Sequence, residues 1–105
     1  MKQHRYRVTV EHLADAKGAA STHEPLVFGA VSHDDIIAIA RRMQARGDFD
    51  ADTAAQLAVG IKLFGEIVLE NRAEPMFAAL RPHFSAFMKE LKKGPPASDA
   101  PPIAD

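Results

Sequence analysis

The residues equipped for chemistry are five histidines, a scatter of carboxylates and a set of arginines. His33-Asp34-Asp35 sets an imidazole beside two carboxylates, side chains that bind metals or move protons. Neighbouring positions at a helix start splay apart, however, and the spacing is neither His-x-x-x-His nor His-Glu-x-x-His. His4 and His12 share strand parity, but the intervening strand holds them roughly 26 Å apart. His23 sits in a loop, and His83 follows Pro82 at an expected helix start. The histidines therefore read as caps or surface groups, and no metal or cofactor is expected. The serines Ser21, Ser32 and Ser85 form no Gly-x-Ser-x-Gly elbow, and no glycine-rich phosphate loop is present. Glu66, Glu70 and Glu74 recur at i, i+4 and i+8, the spacing of a solvated helix face. No catalytic residue is expected, and an enzyme is not the reading these residues favour.

The arginines are more suggestive. Arg5 and Arg7 project from the outer face of a strand, and Arg41, Arg42 and Arg46 crowd the end of a helix. Brought together, they would hold a phosphate or a carboxylate. Kept apart, they solubilise the strand and offset the helix dipole.

The elements that must position these groups follow from periodicity. From His4 to His12 the chain alternates, with Tyr6, Val8 and Val10 on one side, as in a half-buried strand. Ala14 to Pro25 is small and polar, a long loop, and Leu26 to Val31 is a second strand in which Leu26 and Phe28 share a face. Ser32 is the expected cap of a first helix whose stripe is Ile36, Ile39, Ala40 and Met43 and whose end is Gly47. Asp50 caps a second helix reaching Asn71, the centre of the fold, with Ala54, Leu57, Ala58, Ile61, Phe64, Gly65 and Val68 on one face. Gly60 and Gly65 each cost this helix about 1 kcal/mol relative to Ala, which predicts the close approach of another backbone. The last stripe runs from Phe77 to Leu91 across Pro82. It predicts a helix ending near Leu80 and another starting at Pro82, with one kinked helix as the alternative. The expected architecture is α+β in the order β-β-α-α-α(α), a two-stranded antiparallel sheet covered on one face by helices. It spans residues 1–93 as a single domain, with residues 94–105 a disordered proline-rich tail.

One feature of the central helix has no place in a simple amphipathic scheme. Val59 and Leu63 lie about 40° apart, in the middle of the polar face, with Ile67 beside them. This second apolar strip is covered either by other parts of the chain or by a partner, most economically a second copy about a two-fold axis. The open strand edges offer another route to the same homodimer.

Composition narrows the function classes. The 105 residues carry a net charge of −1, without the basic excess that neutralising many phosphates needs, so nucleic acid is not an expected partner. The chain has no cysteine, which removes disulfides, thiolate catalysis and iron–sulfur or thiolate zinc sites. The first residues, Met1 to Arg7, contain no apolar stretch of a secretory leader, and no run approaches the roughly 18 apolar residues of a membrane span. A cytoplasmic protein is expected.

Three segments carry a family resemblance: His33-Asp34-Asp35-Ile36, the run Phe49-Asp50-Ala51-Asp52-Thr53-Ala54 with Gly60-Ile61-Lys62-Leu63-Phe64-Gly65-Glu66, and Phe84-Ser85-Ala86-Phe87-Met88-Lys89. In these the chain, over residues 2–93, resembles the bacterial family called domain of unknown function 3861. The resemblance implies a small stand-alone bacterial domain and no particular activity. The favoured function is a self-associating interaction or accessory module. The alternative is an anionic-ligand-binding or weakly catalytic protein that uses the arginines.

Overall fold

The computed structural model describes residues 3–94. The expectation of a disordered tail falls, apart from Gly94, outside the described residues. The elements run β1 (His4–Val10), β2 (Leu26–Ser32), α1 (Ile36–Arg46), α2 (Ala51–Glu70) and α3 (Pro75–Lys93), an α+β fold in the order β-β-α-α-α.

β1 and β2 pair antiparallel, His4 opposite Ser32 and Val10 opposite Leu26. Alternation then places Tyr6, Val8 and Val10 on the same face as Ala30, Phe28 and Leu26. The other face carries Arg5, Arg7 and Thr9 opposite Val31, Gly29 and Val27. The strand is shorter than expected, and His12 lies beyond it. The connection is also more ordered than a long loop. Ala14 bridges Ala20, and the Asp15 carboxylate accepts the backbone N–H groups of Lys17 and Ala19, each at 2.9 Å. Gly18 takes a φ of 89°, a left-handed turn conformation that suits glycine. The hairpin thus continues past its strands into a built tip.

Asp35, not Ser32, caps α1: its Oδ1 accepts the Ala38 N–H at 3.0 Å. Ser32 sits too far upstream to reach the first turn, and its buried Oγ instead accepts the Asp34 N–H at 3.1 Å. At the far end Gly47 adopts φ 80°, the left-handed closure the sequence calls for. Asp50 caps α2 through the Thr53 N–H at 2.7 Å, and Asn71 closes it.

α3 is one helix with Pro82 inside it, not two. Proline removes one hydrogen bond, to the carbonyl of Ala78. Ala78 and Pro82 are both exposed, so water can satisfy the freed carbonyl, while the stripe of Phe77, Leu80, Phe84, Met88 and Leu91 on either side stays half-buried.

The core lies between α1 and α2. Met43, Ala54 and Ala58 are buried, with Ile39, Ala40, Leu57 and Leu91 packed around them. The alanines remove side-chain bulk from α2 and let α1 come close. α3 reaches this core through Leu91, and the Arg46 guanidinium donates to the Leu91 carbonyl at 2.9 Å. No α3 residue is buried, however. A β-carbon placed on Gly65 would stand 3.5 Å from the Phe84 ring. An aromatic side chain, not a backbone, fills the space expected there. Around Gly60, apart from the helix's own backbone, nothing among the described residues comes within 4 Å of such a carbon, so no close neighbour there explains that glycine.

Candidate functional site

Two features are candidates: a polar junction where the hairpin meets the helices, and the apolar surface on either side of it. The junction starts from Glu66. Its position on the wheel predicts a solvated carboxylate, yet its side chain is only 8% exposed. The reason is tertiary. The link between β2 and α1 crosses that side of α2 and brings His33 over it. His33 Nδ1 lies 3.1 Å from Glu66 Oε2. The His33 backbone N–H donates to Oε1 at 3.4 Å, and Gln3 Nε2 donates to Oε2 at 3.4 Å. A desolvated carboxylate needs such donors, because an unpaired buried charge is costly.

Three further contacts tie the same joint. The Tyr6 hydroxyl donates to the Asp34 carbonyl and accepts the Ile36 N–H, both at 2.9 Å. Lys62 Nζ pairs with Asp34 Oδ2 at 3.1 Å. Residues from β1, the β2–α1 link and α2 are therefore cross-braced, which fixes the direction in which the hairpin leaves the helices.

His33 also borders an open depression of about 550 Å³, formed with Leu69 and the α2–α3 turn from Glu70 to Glu74. A histidine held through one nitrogen by a carboxylate is an oriented imidazole, able to donate or accept at the other. Among the described residues no three histidine or acidic side chains come together as metal ligands. What the junction does with the geometry on view is to hold the hairpin.

The candidate arginines fall on two elements, Arg5 and Arg7 on β1 and Arg41, Arg42 and Arg46 on α1. Arg46 is committed to Asp48 and to the Leu91 carbonyl. Arg41 and Arg42 are exposed on α1, while Arg5 and Arg7 are exposed on the helix-free face of β1.

Of the apolar strip, Val59 and Leu63 are half-buried and Ile67 is 48% exposed. The structure adds two members that sequence reasoning missed. Gly60 is exposed, and Phe64, expected on the buried face, is 44% exposed. Gly60, Leu63, Phe64 and Ile67 follow i, i+3, i+4, i+7 and form one outward stripe. The unexplained glycine was the signal that could have found it.

The hairpin is the second apolar surface. α2 meets β2, whose Ser32 end is buried, but away from that end Phe28, Leu26 and Val10 are 41%, 63% and 53% exposed. Leu13, at the tip, is 75% exposed. The expected cover of one sheet face by helices therefore extends over only part of the hairpin.

The fold and these surfaces define a small α+β protein in which an apolar hairpin arm is braced against a three-helix body. The family model for DUF3861, a domain of unknown function with a solved structure, matches residues 4–93, and the chain belongs to that family. It is also similar to a protein of unknown function from the bacterium Pectobacterium atrosepticum SCRI1043, whose crystal structure was determined at 2.20 Å. The two share 30% identity over 88% of this chain and 99% of that one, with a TM-score of 0.74. No curated protein matches the chain. Among the described residues no helix is long and apolar enough to cross a membrane.

Proposed function

We propose that this protein is a non-enzymatic interaction module of the bacterial cytoplasm that works as a homodimer. The observation carrying this reading is the outward stripe of α2. A helix with apolar residues on every side belongs inside a protein. α2 buries Ala54 and Ala58 against α1, yet turns Phe64 and Ile67, nearly half exposed, to solvent. A second copy is the most economical cover, because a two-fold axis lets one patch complete another without further components. Among the described residues the short list of buried apolar side chains (Ile36, Met43, Ala54, Ala58 and Val68) supports the same reading, since a small core gains stability by association.

Sedimentation velocity on the full chain tests this reading. A dimer at micromolar concentration is expected, and Ile67→Glu should convert it to a monomer with an unchanged far-ultraviolet spectrum. A wild-type protein that stays monomeric at tens of micromolar would sink it.

A further inference from the structure

We infer that the dimer forms by exchange of arms, the hairpin of each protomer lying across the α2 stripe of the other. The inference rests on the self-association reading and specifies its geometry. Among the described residues, two of the exposed apolar surfaces belong to different kinds of element, a sheet face and a helix face. One is the arm, with Val10, Leu26 and Phe28 on a single sheet face and Leu13 at the tip. The other is the ridge of exposed Phe64 and Ile67, flanked by half-buried Leu63 and exposed Gly60.

Each surface lacks what the other can supply. A two-stranded sheet is marginal until a helix covers its apolar face, and the chain's own α2 covers only the Ser32 end. The stripe in turn needs a layer that approaches closely at Gly60, where the described residues leave open space. A partner's arm answers both needs. The contacts of Tyr6, His33 and Lys62 fix the arm against the helices before it docks, which lowers the ordering cost of association.

Size agrees as well. With Val10, Leu13, Leu26, Phe28, Phe64 and Ile67 each between 41% and 75% exposed, arm and stripe together present apolar surface on the order of several hundred Å² per chain, the scale of the roughly 800 Å² each partner buries in a stable interface. Exchange about a two-fold axis uses both surfaces on both protomers and leaves neither open.

The native chain has no cysteine, so single engineered thiols report contacts cleanly. Glu11→Cys marks the rim of the arm and Gln56→Cys the rim of the stripe; both positions are exposed, which spares the fold. The two full-length variants are co-expressed with different tags and treated with a short bismaleimide. Arm exchange predicts that the mixed Glu11→Cys/Gln56→Cys product exceeds either homodimeric product several-fold. Predominance of the Gln56→Cys homodimer would overturn the inference in favour of α2 stacked on α2. Predominance of the Glu11→Cys homodimer would overturn it in favour of strand-edge pairing. If no cross-link forms while sedimentation shows a wild-type dimer, arm exchange fails alone; if the wild type is monomeric, the self-association reading fails with it.

Discussion

His33 Nδ1 stands 3.1 Å from Glu66 Oε2, across a separation of more than thirty positions in the chain, and that pair joins the hairpin to the central helix. Glu66 is nearly enclosed while His33 keeps 40% of its side chain in solvent. The carboxylate is therefore the member that depends on its partner, and the imidazole is the member that could be spared to water.

This asymmetry gives the first prediction. Glu66→Ala removes the acceptor for the His33 ring, the His33 N–H and Gln3 together, and should cost about 1–3 kcal/mol. His33→Ala leaves the buried carboxylate with its longer contacts only and should cost a similar amount. Urea denaturation of the two single variants and the double variant checks this. The double variant should be less destabilised than the two singles added, because the pair then goes as a unit. Full additivity would mean the two groups act independently.

The two glycines of α2 should respond differently to a side chain. At Gly60 a β-carbon meets nothing within 4 Å among the described residues outside its own helix backbone, so Gly60→Ala should raise the stability of the isolated fold by up to about 1 kcal/mol through helix propensity. At Gly65 the Phe84 ring lies at ordinary contact distance from that carbon, so alanine fits but a larger residue does not. Gly65→Leu should displace Phe84, which packs edge-on against Phe64 with ring centroids 5.8 Å apart, and loosen α3. Thermal melts at low protein concentration, together with amide exchange along α3, read both effects. A Gly65→Leu protein with unaltered α3 exchange would contradict the assignment.

The Asp50 cap gives a pH dependence of known sign. Hydrogen bonds from the backbone and side chain of Thr53 lower the Asp50 pKa from its ordinary 3.8. A carboxylate whose pKa is lower in the folded state contributes stability that is present above the unfolded value, and loses it as pH falls through the folded one. Asp50→Asn keeps a capping oxygen but cannot titrate. Its denaturation midpoint should therefore fall less steeply than the wild type's below pH 3.8. Parallel curves for the two proteins would show that Asp50 contributes nothing to acid unfolding.

The sequence by itself determined the elements, since the signals for those are local. Alternation from Tyr6 to Val10 marks a strand wherever it ends up, and Asp50 and Gly47 are written into the chain as start and stop. It also exposed α2 as a helix with a second apolar strip, at Val59 and Leu63 with Ile67 beside them. The tertiary structure alone decided which side of each element is covered. Helical spacing gives the angle of Glu66 on α2, but only the path of the β2–α1 link makes that angle an interior one. The same holds for Ser32, left behind when Asp35 took the cap, and for Pro82, tolerated because its freed carbonyl faces water. Phe64 moved from the expected core to the outward stripe because Ala54 and Ala58, not the aromatic, seat α1. Periodicity describes one element at a time, whereas burial belongs to pairs of elements. The arm, ordered by its own hydrogen bonds and left uncovered by its own helices, becomes visible only when those pairs are seen together.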